Sequence, residues 1–329
     1  MNVAVDAMGG DHSTKIVVKG AVEAASELGI DITLVGNRNI IDRELDLTSS
    51  DHVRIHHCEE IVQMDESPSK AIFKKKDASI RVAFDLMKKG AVDAVVSAGN
   101  SGAILAAGIL TSGRMEGVER PAIAGIFPSE KGPVTLIDVG ANVDCRPSYL
   151  LQFGIMANAF AKSCLGIKNP KIGLLSIGKE GGKGNELVRL ARSFFKESPL
   201  NFAGNVEGSD IFTGDVDIIV CDGFVGNVAL KLSEGMGDTM VGFLKRELAS
   251  SFFGKAALVF GHHALEKFKR KLNYEEYGGA PLLGINGVCI ICHGASSSRA
   301  IKKAVDLSAR YVNNRVLDKM AIELNKFKK

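Results

Sequence analysis

Short runs of β-branched and other apolar residues recur along the chain, at Val3–Asp6, Ile32–Gly36, Val53–His57, Ala94–Ser97, Ala122–Phe127, Thr135–Asp138, Lys171–Ser176, Asp217–Cys221 and Val288–Cys292. Their length and composition predict strands, and nearly every one ends in glycine or a small polar residue before a helical pattern begins. Apolar residues at helical spacing predict helices over Val17–Leu28, Ile80–Lys88, Gly102–Leu110, Tyr149–Leu165, Leu187–Phe195, Val228–Phe253 and from Ser296 to about Phe327. Ser296, Ser297 and Ser298 supply an N-cap for the last of these. Strand–loop–helix units in series build a mostly parallel sheet, and strands apolar throughout fit a sheet covered by helices on both faces. The pattern therefore predicts a three-layer α/β fold. A weak change near Gly140–Pro147 separates halves of similar composition, so residues 1–329 read as one fold with two lobes.

Composition sets the class without indicating a partner. With 46% apolar and 24% charged residues in a chain of 329, disorder is excluded, and 36 glycines against 8 prolines point to close backbone approaches rather than a linker protein. A net charge of +3, from 41 Lys+Arg and 38 Asp+Glu, argues for neither nucleic acid nor membranes globally, so no nucleic-acid partner is expected. The amino terminus enters a strand-like run without secretory features, which predicts a cytoplasmic protein. The uncharged stretch from Ala94 to Gly113 contains Ser97, Asn100, Ser101, Thr111, Ser112 and four glycines, and reads as a buried strand, loop and helix rather than a bilayer span. Six scattered cysteines read as free thiols.

The chemistry is expected where the strands end. Asp6–His12, Ser97–Ala103, Asp138–Asp144, Gly178–Glu186 and Asp222–Asn227 are glycine-rich loops, most with an amide or hydroxyl side chain beside the glycine. In a parallel sheet such loops share one edge, where helix N-termini present unpaired N–H groups to an anion. Five of them together favour a phosphate-like or acyl-phosphate-like ligand. Nucleotide signatures are missing: no G-x-G-x-x-G opens the first helix, and Gly182-Lys183 lacks the Walker pattern because Ile177 and Gly184 occupy required positions. Lys183 instead offers a point cation to a phosphate or a developing oxyanion. Cys289-Ile290-Ile291-Cys292-His293 satisfies a haem-attachment spacing but lies in an apolar strand, and the histidine pairs lack further ligands at zinc spacing, so neither a metal nor a cofactor is expected. No G-x-S-x-G elbow indicates a covalent acyl-enzyme.

Two cationic segments remain. Lys70, Lys74, Lys75 and Lys76 read as a solvated face or a dock for an acidic protein. Residues 245–272 read as a helical hairpin: Phe252, Phe253, Leu258, Val259 and Phe260 form an apolar tip between Lys245, Arg246 and Lys267, Lys269, Arg270, Lys271. Such a tip fits either a membrane surface with anionic lipid or an oligomer interface.

Together these segments resemble the PlsX family, the acyl-[acyl-carrier-protein]:phosphate acyltransferases of bacterial phospholipid synthesis. The resemblance runs over almost the whole chain through VDAMGGDH (Val5–His12), SAGNSGA (Ser97–Ala103), ERPAIAG (Glu119–Gly125), DVGANVDC (Asp138–Cys145), KGNE (Lys183–Glu186), DGFVGN (Asp222–Asn227), YGGAPLLG (Tyr277–Gly284) and HGAS (His293–Ser296). It implies transfer of a long acyl chain from acyl-ACP to inorganic phosphate, giving acyl phosphate for a downstream glycerol-3-phosphate acyltransferase. It further implies an isopropylmalate-dehydrogenase-like and phosphotransacetylase-like fold, a homodimer, and peripheral membrane contact through the hairpin. Lys183 and Asn227 occupy the positions that look catalytic in the family. Ser101 and Val225 stand where threonine is usual, and Phe73 and Asp77-Ala78 depart from the family's basic segment.

Phosphate oxygen is a competent nucleophile toward a thioester, so such an enzyme has to place it and stabilise the tetrahedral oxyanion. Lys183 is expected to neutralise phosphate or the oxyanion, and Asn227 to donate a hydrogen bond to the latter. Asp6, Gly9, Gly10, Asp11, His12, Ser97, Gly99, Asn100, Ser101, Asn142, Asp144, Asn185, Glu186, Asp222 and Gly226 are expected to line the substrates. His12 and His293 are the candidates for a general acid. A phosphotransacetylase-like transferase acting on acyl-CoA, and a non-catalytic membrane-associated scaffold, are the alternatives.

Overall fold

The computed structural model describes the backbone of residues 1–11, 14–45, 52–261, 263 and 277–327. The strands among them are β1 (Asn2–Asp6), β2 (Asp31–Gly36), β3 (Val53–His57), β4 (Ala94–Ser97), β5 (Ala122–Phe127), β6 (Val134–Ile137), β7 (Ile172–Leu175), β8 (Phe202–Val206), β9 (Ile218–Val220), β10 (Ala280–Leu283) and β11 (Cys289–Ile291). They form a single sheet in the order β3-β2-β1-β4-β11-β10-β5-β6-β9-β7-β8. The helices are α1 (Thr14–Leu28), α2 (Arg38–Glu44), α3 (Pro68–Lys74), α4 (Ser79–Lys88), α5 (Ser101–Thr111), α6 (Pro147–Cys164), α7 (Glu186–Glu197), α8 (Asp210–Thr213), α9 (Gly223–Ala249), α10 (Phe252–Phe260), α11 (Ser298–Asn313) and α12 (Val316–Lys326).

The alternation along each strand creates the layers. In β1, Val3 and Val5 join a core with α1, α6, α7, α11 and α12, whereas Ala4 faces the opposite core with α3, α4 and α5. Both cores are closed, with Phe153, Phe160 and Phe195 fully buried in the first and Phe84 in the second. The predicted three-layer α/β architecture is present.

The sheet is not parallel from end to end. β3, β2, β1, β4 and β11 run one way. β10 is antiparallel to both β11 and β5, and β5 is antiparallel to β6, so β6, β9, β7 and β8 form a second parallel block of opposite sense. The expectation of five loops on one edge is therefore corrected: those after β1 and β4 belong to one block, and those after β6, β7 and β9 to the other. An ordinary twist of about 20–25° per neighbour would turn the strand direction by roughly 120–150° over the six steps from β1 to β9.

The final helical stretch is two helices rather than one, because Arg315 adopts a left-handed conformation with φ 51 between α11 and α12. α10 packs back against the end of α9; a Cβ on Gly254 would overlap the Leu248 carbonyl oxygen, so only glycine permits that approach. Phe252, Phe253 and Phe260 are 84%, 85% and 89% exposed, while Leu258 is half-buried. The Val259 side chain and, of the segment expected to complete a hairpin, residues 262 and 264–276 lie outside the described residues, as does His12. Among the described residues no helix is long and apolar enough to cross a membrane.

Candidate functional site

The first cluster forms where β1 and β4 end side by side. The Asp6 carboxylate, buried beneath the loops, accepts the Ser97 hydroxyl at 2.7 Å and the Met8 N–H at 3.1 Å. Ser97 Oγ in turn accepts the Gly99 N–H at 3.1 Å. Burial pushes the Asp6 carboxyl above its usual range, and its hydrogen bonds recover part of that shift. Gly9 must be glycine, since a Cβ there would lie 2.7 Å from the Gly99 nitrogen. Gly10 takes the positive φ of 112° that turns the chain. The Asp11 N–H donates to the Gly294 carbonyl at 2.8 Å, which ties this loop to the one after β11. Asn100 caps α5, accepting the Ala103 N–H at 3.0 Å and donating to the Met64 carbonyl at 2.8 Å, and Ser101 is exposed at the start of that helix. Asp6, Ser79, Ser97 and Asn100, with apolar Ile61, Val62, Ile80 and Ile104, line a crevice beneath these loops.

The second cluster gathers on three neighbouring strands, β6, β9 and β7. Asp138 is its hub: Oδ1 accepts N–H groups from Ile123, Gly140 and Ala141, and Oδ2 accepts from the backbone and side chain of Asn142. Burial raises its carboxyl pKa against those donors. Asn142 also donates to the Pro121 carbonyl at 2.8 Å, and its own carbonyl accepts the Gly223 N–H at 2.7 Å. α9 starts directly on this loop because Gly223 and Gly226 leave room; a Cβ on Gly223 would lie 2.6 Å from the Asn142 oxygen. Asp222 caps α9 through the Val225 N–H at 2.9 Å. Asn227 stays exposed in the first turn, its amide against Gly140.

After β7 the chain makes a glycine loop held from below by Asn205 on β8, whose amide donates to the carbonyls of Glu180 at 3.0 Å and Lys183 at 3.3 Å. Lys179 pairs with Asp210 at 2.9 Å, whereas the Lys183 side chain is exposed and has no polar partner among the described residues. Asn185 caps α7 through the Val188 N–H at 2.9 Å. Glu186 follows in the first turn, where a negative charge suits the helix dipole. Asp144 is exposed. The structure thus brings Lys183, Asn227, Asn142 and Gly226 to adjacent strand ends, with Asp6, Ser97 and Gly99 in the other block.

Two cysteines beside this cluster are poor nucleophiles. Burial, reinforced by Asp138, pushes the Cys145 thiol up to about 12, and burial likewise lifts the Cys221 thiol well above its ordinary value. At neutral pH a thiol at about 12 is ionised to about one part in 10⁵. Sequence reasoning missed Asp138 and Asn205 as site builders; both lie at strand ends next to glycine-rich segments, which is the signal they carried. The cationic segment at Lys70–Lys76 is partly neutralised, since Lys75 is bound to Glu66 at 2.7 Å.

α9 and the loop after β11 meet in a polar contact, in which Lys231 Nζ lies 3.2 Å from His293 Nε2; elsewhere α11 joins α6, where the Asn314 amide donates to the Ser163 carbonyl at 2.8 Å.

The fold is similar to that of a phosphotransacetylase from Streptococcus pyogenes, with a TM-score of 0.65 at 16% identity, covering 95% of this chain and 94% of that one. A branched-chain phosphotransacylase from Enterococcus faecalis aligns with a TM-score of 0.57 at 16% identity, over 95% and 99% of the two chains. In sequence, the chain is 52% identical over 321 residues to a phosphate acyltransferase of Nitratidesulfovibrio vulgaris, covering 97% of this chain and 93% of the relative. It is 50% identical over 334 residues to a phosphate acyltransferase of Geobacter sulfurreducens, covering 99% and 96%. The family model described as fatty acid synthesis protein matches residues 1–319. With a match of that extent and relatives at half identity over more than nine-tenths of their length, the chain belongs to the fatty acid synthesis protein family, whose members here are phosphate acyltransferases.

Proposed function

We propose that the protein transfers a long acyl group from acyl-ACP to inorganic phosphate, releasing acyl phosphate to a glycerol-3-phosphate acyltransferase. The observation that carries this reading is the placement of Lys183, unpaired among the described residues, and exposed Asn227 after neighbouring strands, above hydrogen-bonded glycine loops. A phosphate oxygen attacks the thioester carbonyl, a C–O bond forms, and the carbonyl electrons move onto oxygen. Lys183 neutralises that charge or the incoming phosphate, and Asn227 donates to the oxyanion. The intermediate then collapses: the C–S bond breaks, its electron pair leaves on sulfur, and the thiolate takes a proton from solvent. A thiolate near pKa ~8.5 leaves with little acid assistance. Asp6, Ser97, Asn100, Asn142, Asn185 and Asp222 hold the loops, and Gly10 offers its backbone N–H to phosphate, whereas the N–H groups of Gly99 and Gly226 are taken by Ser97 Oγ and the Asp222 carbonyl.

The same reading includes a cytoplasmic homodimer with peripheral membrane contact. Its support is the exposed apolar stripe Phe224, Val228, Leu232, Met236, Met240 and Phe243 along α9, together with the three exposed phenylalanines of α10. The test is a discontinuous assay with palmitoyl carrier protein, with and without inorganic phosphate, trapping acyl phosphate with hydroxylamine. Phosphate-dependent product is expected. Product only with acyl-CoA would replace the carrier by coenzyme A, and none with either donor would leave a scaffold.

A further inference from the structure

The contact between α9 and the loop after β11 pairs two hydrogen-bond donors. His293 Nδ1 accepts the Ala295 N–H at 3.1 Å. A ring nitrogen that accepts carries no hydrogen, so the neutral imidazole bears its hydrogen on Nε2. That N–H lies 3.2 Å from the Lys231 ammonium, a group with three donors and no acceptor. Glu234 steadies the lysine through Oε2 at 2.8 Å, yet among the described residues no acceptor bridges lysine and imidazole. Donors brought this close, one of them cationic, are arranged for an anion whose oxygens accept from both.

The position of the pair gives the anion its identity. Lys231 is four residues beyond Asn227 on α9, so the two side chains share one helix face. Gly294, next to His293, accepts the Asp11 N–H at 2.8 Å, which places the imidazole beside the Gly9–Asp11 loop. The pair therefore lies where the glycine loops of the two blocks meet. We infer that Lys231 and His293 bind a phosphate oxyanion at this junction, either free inorganic phosphate or the phosphodiester of a phosphopantetheine arm. The inference rests on the proposed acyl transfer for its choice of ligand. The bidentate arrangement explains why one donor comes from each block: the anion bridges them.

The test separates binding from turnover. Inorganic phosphate is titrated into the full-length protein calorimetrically, without acyl donor, for wild type and for Lys231→Met, Lys231→Arg, His293→Ala and His293→Gln. Michaelis constants for phosphate and for the acyl donor are then measured on the same proteins. With free phosphate as occupant, Lys231→Met and His293→Ala weaken phosphate binding at least ~10-fold; Lys231→Arg and His293→Gln, which keep a donor, recover most of it. With the phosphodiester as occupant, phosphate binding is unchanged and the KM for the acyl donor rises by a similar factor. If neither quantity moves in variants whose circular dichroism matches wild type, the inference is overturned. Should wild type show no acyl transfer, the proposed activity fails, and the phosphate titration alone decides the site: equal affinities across the variants overturn it.

Discussion

Asn100, Asn185 and Asp222 read alike in the sequence, each a polar residue beside glycine after a strand, and the structure gives them one task. Each places its side-chain oxygen on an amide of the helix it begins, at Ala103, Val188 and Val225, the ordinary device for satisfying a helix N-terminus. Asp6, Ser97 and Asn142 are likewise occupied, bracing one loop against another. Removing those residues separates side chains that hold the frame from those left to meet a ligand, and Lys183 and Asn227 are in the second group. Lys183→Ala is expected to reduce kcat for acyl phosphate formation by ~10²–10³, the effect of losing one oxyanion donor. Circular dichroism of the variant should match wild type, because the side chain has no polar partner among the described residues; a wild-type kcat would remove Lys183 from the mechanism.

At the level of elements, the seating of α9 on the Asp138 loop is the critical joint. A Cβ at Gly226 would overlap the Asp138 carbonyl oxygen, so Gly226→Ala should displace the helix start and lower stability by about 1–3 kcal/mol, as overpacking does. A urea unfolding midpoint equal to wild type would show that the joint is looser than drawn. Much of this architecture was legible in the residues. Nine strands were readable from apolar runs and lie within one or two residues of their predicted positions. β8 and β10 were not, because β8 carries Gly204 and Asn205 at a sheet edge and β10 is four residues long with Pro281 inside it. α9 was predicted to begin at Val228, and its first turn is hidden in sequence by Gly223 and Gly226, residues chosen for close approach rather than helix propensity. The sense of the two blocks was also illegible, because strand composition does not encode which neighbour a strand pairs with.

For the whole molecule, the exposed stripe on α9 and the aromatic end of α10 make separable claims. If the stripe joins two copies, Leu232→Glu with Met236→Glu should convert the dimer to monomer in sedimentation velocity; an unchanged sedimentation coefficient would place the interface elsewhere. If the α10 phenylalanines meet lipid, Phe253→Asp with Phe260→Asp should abolish co-sedimentation with anionic vesicles while sparing turnover in solution, and retained binding would return that end to a protein interface. The order of strands carries a further consequence, for synthesis. The middle of the sheet is made last: β11 joins β4 through Cys289 and Val95, and β10 joins β5 through Leu283 and Ala122. Until the chain beyond Ala280 emerges, β4 and β5 each present an unpaired strand edge, the kind of surface that templates association with other chains. Closure must wait for partners nearly two hundred residues away along the backbone at the β4–β11 pairing, and contacts that distant form slowly. The nascent polypeptide thus carries two open seams for nearly half of its translation, and each is a site for misassociation until the carboxy-terminal strands fill the gap.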